Sequence, residues 1–203
     1  MPVCKDREYR MMAAPMLPSE SENEYRVEGY ATTFNDPYVL FSDGDRDFLE
    51  SVDNHAFDGT DMRDVIFQFD HAGMVYARNK NGTLQLSVDE HGLKVNADLS
   101  STEDSRRMYE AIASGLVDQM SFAFVVDDEE YDKDTRTRTI RHIKKLYDVS
   151  AVSIPANPGT EISARSAFEG YIEAERLEQL EAEKKQKLIA EIRNLLKGEN
   201  DGI

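Results

Sequence analysis

Between residues 25 and 154 the chain breaks into short apolar or alternating runs. Most are closed by glycine, proline, asparagine or aspartate, and only one stretch among them has helical spacing. Runs this short cannot bury a face alone, so they must pair into sheet. Residues 25–34 (YRVEGYATTF) alternate and are rich in β-branched and aromatic side chains, with Gly29 a candidate bulge. Residues 65–69 form an apolar strand that delivers Asp70 and His71, and 74–78 form another. Residues 83–88 and 93–99 alternate on either side of Asp89-Glu90-His91-Gly92, which predicts a hairpin. Residues 120–126 (MSFAFVV) place Ser121, Ala123 and Val125 on one face of a strand and Phe122, Phe124 and Val126 on the other. Residues 138–146 and 147–154 add two more strands. The last stops at Pro155-Ala156-Asn157-Pro158-Gly159, which cannot continue a ladder. Six or seven short strands imply a barrel or a strongly curved sheet, in a chain that is mainly β with helices, an α+β protein.

The helical stretch is 101–114. Ser101 or Thr102 caps it, Glu103 and Asp104 complement its first turn, Met108 and Ile112 lead its buried stripe, and Gly115 stops it. Residues 35–64 are acidic and rich in turn formers. They read as a surface excursion with one short helical turn near 53–57. Residues 127–134 hold six acids and one lysine and read as a solvated turn, with Arg138, Arg141, Lys144 and Lys145 able to sit across from it. Three segments follow: an unordered arm at 1–23, a β domain at 24–165, and an amphipathic helix with a tail at 166–203. That helix opens on a capping-box spacing, Ser166 to Glu169. It carries Ile172, Leu180, Leu188, Ile192, Leu195 and Leu196 among charged residues.

Composition narrows the function. The formal net charge of −16 repels nucleic acid and anionic lipid, so neither is expected as a partner. No apolar run approaches the roughly 20 residues that span a bilayer. The first 18 residues lack an apolar core of the export-signal kind. One cysteine, Cys4, makes no internal disulfide, which points to the cytoplasm. His55, His71, His91 and His142 show no metal-binding spacing, and no glycine loop suits a phosphate, so no metal and no cofactor is expected.

Forty acids leave paired-carboxylate chemistry open without marking any pair, and nucleophilic catalysis remains beside it. A serine nucleophile needs an imidazole to take its proton, and the imidazole needs an acceptor on its other nitrogen. Taken singly, a serine opening a strand, a histidine closing one and an aspartate before a β-branched run are ordinary sheet residues. Their order is what separates His71, Ser121 and Asp148 from the rest: His71 after an apolar strand (VIFQFDH), Ser121 after a helix and a glycine turn (ASGLVDQMSFAF), Asp148 opening a strand that ends at the proline loop (DVSAVSIPANPG).

This succession resembles the prohead, or head-maturation, proteases of tailed bacteriophages, relatives of the herpesvirus assemblin proteases. The likeness runs from about Arg26 to Ile162. It includes the GYA-x-x-F segment at 29–34, His71, Gly92-Leu93, Met120-Ser121-Phe122 and the Val-Ser-x-Val-x-x-Pro-Ala-Asn-Pro segment at 149–158. One departure is Tyr76-Ala77-Arg78, where the family often has a Gly-Arg pair. The resemblance implies a closed antiparallel barrel flanked by helices. It implies Ser121 as nucleophile, His71 as base and then acid, and Asp148 as third member, with Asp70 as rival. Asp148 is preferred because the neighbour of a strand residue points to the opposite face. The backbone N–H groups of Ala156 and Asn157 are the candidate oxyanion hole. It further implies scaffolding protein and major capsid protein as substrates, a site of action inside the procapsid in the host cytoplasm, and a homo-oligomer by analogy. The competing class is a non-enzymatic, capsid-associated scaffold or structural protein.

Overall fold

The computed structural model describes residues 7–19, 25–152 and 158–198. Cys4, Ala156 and Asn157 lie outside them. The chain divides into two compact units, Met1–Ser166 and Ala167–Ile203.

The first unit opens with β1 (Glu8–Pro15) and the two-residue β2 (Leu17–Pro18), followed by β3 (Arg26–Thr33). A hairpin of β4 (Tyr38–Asp43) and β5 (Arg46–Val52) comes next, then a second of β6 (Ile66–Phe69) and β7 (Ala72–Arg78). A third pairs β8 (Leu84–Val88) with β9 (Gly92–Asp98), as the alternation predicts. Helix α1 (Glu103–Ala113) leads into the long ribbon of β10 (Gln119–Asp132) and β11 (Thr137–Val152).

Two sheets result. The larger has seven strands in the order β1-β10-β11-β5-β4, with β6 attached to β11 and β7 to β6; the smaller runs β2-β3-β9-β8. One edge of β11 pairs throughout with β10. Its other edge is shared: residues 137–140 pair with β5 and 148–151 with β6, both in parallel. The sheet is therefore mixed rather than purely antiparallel, and no closed barrel is found among the described pairings. Length is the physical reason. The sixteen residues of β11 outreach the seven-residue β5 and the four-residue β6, so its second edge takes both.

One apolar cluster fills the interior. It draws Val27, Leu93 and Val95 from the small sheet, Phe67, Phe122, Phe124 and Val149 from the large one, and Met108 and Ile112 from α1. Each fully buried phenylalanine contributes on the order of 2–3 kcal/mol relative to an exposed one. Helix α1 starts where the capping residues predict: Thr102 Oγ1 accepts from the Ser105 N–H at 3.0 Å, and Ser105 Oγ donates to the Tyr76 carbonyl at 2.9 Å, tying the helix to β7. Gly92 sits where β9 meets β3, and a Cβ there would lie 2.0 Å from the Thr32 carbonyl oxygen.

Three segments depart from the sequence reading. The expected arm contains β1, paired along β10 from Glu8↔Phe124 to Pro15↔Gln119. The expected excursion at 35–64 contains the β4–β5 hairpin, whose Phe41, Phe48 and Val52 are buried. The expected acidic turn is mostly strand. β10 continues to Asp132, and the turn falls after it, where Arg136 takes a left-handed φ of 51°. There the bases and acids do face each other, Arg138 against Glu129 and Arg141 against Asp128 and Glu130.

The described residues of the second unit are helical. Helix α2 (Pro158–Gly198) is a single 41-residue helix that begins eight residues before the capping-box spacing at Ser166. Proline is well suited to the first helical turn, and nothing between Pro158 and Ser166 breaks a helix after Gly159. Leu177, Leu180, Leu188, Ile189 and Ile192 are exposed along it. Among the described residues no helix is long and apolar enough to cross a membrane.

Candidate active site

The β10–β11 ladder fixes two of the three expected residues. Ser121 pairs with Ser150 and Ala123 with Asp148, so Ser121, Ala123, Asp148 and Ser150 share one face. Their neighbours Phe122 and Val149 belong to the apolar cluster, which places this face away from it. Strand β1 extends the row on one side, with Tyr9 opposite Ala123 and Met11 opposite Ser121. Strand β6 extends it on the other, with Gln68 opposite Ser150.

His71 reaches this face from a turn. Phe69 pairs with Ala72, leaving Asp70 and His71 as a two-residue hairpin loop. Both have positive φ, 47° and 55°. That is the φ signature of a type I′ turn, which matches the twist of the flanking strands. Aspartate and histidine are among the few non-glycine residues that tolerate it. The Asp70 N–H donates to the Ala151 carbonyl at 3.0 Å and anchors the turn on β11.

The imidazole then lies between the other two side chains. His71 Nδ1 is 2.6 Å from Asp148 Oδ1, and Nε2 is 2.5 Å from Ser121 Oγ. The Tyr9 ring meets the imidazole edge-on, with centroids 4.8 Å apart. Asp148 and Ser121 are buried, while the His71 side chain is 14 % exposed. Asp148 meets Nδ1, and Asp70 sits beside His71 in a turn and not in a strand, so strand alternation does not set the two side chains on opposite faces. The oxyanion candidates Ala156 and Asn157 fall outside the described residues. Among the described residues no group of three or more histidine, cysteine or acidic side chains could hold a metal ion.

Three neighbours escape a reading of the sequence. Ser121 Oγ also lies 2.9 Å from the Arg10 carbonyl oxygen, to which it can donate. Ser150 Oγ contacts both Asp148 and His71. The Asp148–Ser150 spacing of two was the available signal for Ser150. Nothing marked Tyr9 or Arg10 inside a segment read as unordered.

Arg10 belongs to a buried charge cluster on the other face of β1. Its guanidinium donates to Glu50 Oε1 at 2.5 Å and to Glu8 Oε2 at 2.5 Å. Arg138 donates to Glu8 and Glu50 at 2.7 Å and also pairs with Glu129. All five side chains are at most 3 % exposed. Burial alone would raise the Glu50 carboxyl, but the Arg10 and Arg138 guanidiniums outweigh it and hold the group at about 2. Burial likewise opposes the charge on Arg10, and the Glu50 and Glu8 carboxylates overcome it, raising that group above its ordinary value. The cluster ties β1, β5, β10 and β11 together and so holds the strand whose carbonyl meets Ser121.

A serine hydroxyl, an imidazole and a buried carboxylate stand in one hydrogen-bonded line on a mostly β scaffold, the arrangement that serine hydrolases use. The chain belongs to the caudovirus prohead serine protease family, whose model matches residues 14–173. It is 29% identical over 144 residues to the prohead protease of Enterobacteria phage HK97, covering 70% of this chain and 61% of that one. It is 26% identical over 110 residues to the prohead protease of Escherichia phage T5, covering 54% and 50%. The chain therefore spans half to about three-fifths of the length of these curated relatives. No solved structure matches it.

Proposed function

We propose that this chain is a serine endopeptidase of phage head maturation that cleaves scaffolding protein and major capsid protein inside the procapsid, in the host cytoplasm. The observation that carries the reading is His71 bonded at once to Ser121 and Asp148 in a chain of this family. Ser121 Oγ attacks the scissile carbonyl as its proton passes to His71 Nε2. Asp148 holds Nδ1–H and stabilises the imidazolium that forms. His71 then protonates the leaving amine, and water resolves the Ser121 ester by the same route. The N–H groups of Ala156 and Asn157 are the proposed oxyanion donors. Losing such a donor typically costs about 10²–10³ in rate. The closed barrel and the kinship with herpesvirus assemblins belong to the same reading; the single apolar cluster drawn from both sheets supports the first. Self-association is proposed with them.

The test is co-expression with the cognate scaffolding and capsid proteins, wild type beside Ser121→Ala, followed by gel and intact-mass analysis. Defined fragments with wild type alone are expected. Equal processing by the variant removes Ser121 as nucleophile, and absence of cutting by either in assembled proheads favours a structural role.

A further inference from the structure

Ser150 takes no part in the steps above, yet it is fully buried and touches two of the three residues. Its Oγ is 2.8 Å from Asp148 Oδ1 and 3.2 Å from His71 Nδ1. The same Oδ1 is 2.6 Å from Nδ1. Three polar atoms close a triangle, and the placement of two protons decides what the imidazole can do.

Suppose the Ser150 proton points at Nδ1. The ring proton must then sit on Nε2, where it faces Ser121 and leaves no base. A lone pair on Nδ1 would also face a carboxylate oxygen at 2.6 Å, which is repulsive. The other arrangement has no such conflict. Ser150 O–H and His71 Nδ1–H both donate to Asp148 Oδ1, and Nε2 keeps its lone pair for Ser121. A hydroxyl that gives its one proton to the carboxylate has none left for Nδ1.

The backbone makes this arrangement hard to avoid. Asp148 and Ser150 are two apart on β11 and share a face, and Ser150 stands directly opposite Ser121 on β10 and Gln68 on β6. Ser150 itself is shut off from solvent, so no water replaces its donation to a carboxylate that is itself buried.

We propose that Ser150 is a positioning residue of this site. It acts through Asp148, fixing the rotation of the carboxylate and thereby the tautomer of His71. The proposal rests on the serine-peptidase reading above.

The experiment needs no natural substrate. Full-length protein is treated with a fluorophosphonate probe, which captures an activated serine, and the second-order labelling rate is followed by intact mass. High probe concentration and long times keep slow variants measurable. Ser150→Ala is expected to label about tenfold more slowly than wild type, roughly 1.4 kcal/mol in barrier. Ser150→Cys keeps the volume but donates weakly, so it guards against a folding artefact and is expected to show a similar loss. The discriminating measurement is the cycle with Asp148→Asn. A residue acting through Asp148 should change the rate less than about twofold in that background. A tenfold loss that persists there assigns Ser150 to packing and overturns the proposal, as does wild-type labelling of Ser150→Ala or Ser150→Cys. Ser121→Ala separates the two levels. If it labels like wild type, the peptidase reading fails. If it is silent while Ser150→Ala labels at full rate, only the positioning role fails.

Discussion

Replacing Glu50 by glutamine tests whether the buried charge cluster stabilises the fold. The carboxylate takes donors from Arg10 Nε and Tyr38 on one oxygen and from Arg10 and Arg138 terminal nitrogens on the other. Whichever way an amide is turned, its NH2 faces two of these donors. The group's fall from its ordinary 4.5 to about 2 corresponds to roughly 3 kcal/mol of folding stability. Breaking a buried ion pair from one side costs about 3–5 kcal/mol by independent measure. The sign follows from the depressed value. The contribution is complete above about 4.5, shrinks as pH falls, and is gone near 2. Glu50→Gln should therefore lose about 3–5 kcal/mol in urea unfolding at neutral pH, and the gap to wild type should narrow through that acidic window. Carboxylates outside the cluster titrate in both proteins and cancel in the difference. A gap under about 1 kcal/mol at neutral pH, the size of an exposed pair, or one that stays constant on acidification, would refute the reasoning.

Asp148→Asn should slow fluorophosphonate labelling by about 10³–10⁴, the scale expected when the imidazole loses its orienting carboxylate. Asp70→Asn keeps a residue that tolerates positive φ and should label within about threefold of wild type. Comparable losses in both would reopen the choice between them. Gly92→Ala should lower stability by about 2–4 kcal/mol in chemical denaturation, because a Cβ cannot sit 2.0 Å from the Thr32 carbonyl without parting β3 from β9. Thr102→Ala removes the cap of α1 and should cost about 1 kcal/mol by the same assay.

What could be read in the sequence was what local chemistry decides. The β8–β9 hairpin follows from alternation across a glycine turn, and α1 from its cap and acidic first turn. The three proposed catalytic positions came from motif order, and the fold brings them into contact. What could not be read depends on partners remote in the chain. Glu8, Arg10, Glu50, Glu129 and Arg138 look like surface charges, and only the meeting of β1, β5, β10 and β11 makes them interior. The same blindness turned β1 into an arm and β4–β5 into an excursion. The acids at 127–132 read as a turn because no local rule says that Arg138 and Arg141 return opposite them. Ser150 needed the register as well as its spacing from Asp148.

The way β11 divides its second edge bears on the order in which the chain becomes chemically competent. Ser121 and Asp148 arrive together on one hairpin, whose strands meet early because little chain separates them. His71 stands 77 residues from Asp148 and joins only when β6 settles in parallel on the end of β11. Such non-local pairings form slowly, since a long loop must close before they form. On the proposed reading, a half-folded chain would hold Ser121 and Asp148 with no base between them, and any capacity to cut would wait for β6 to dock.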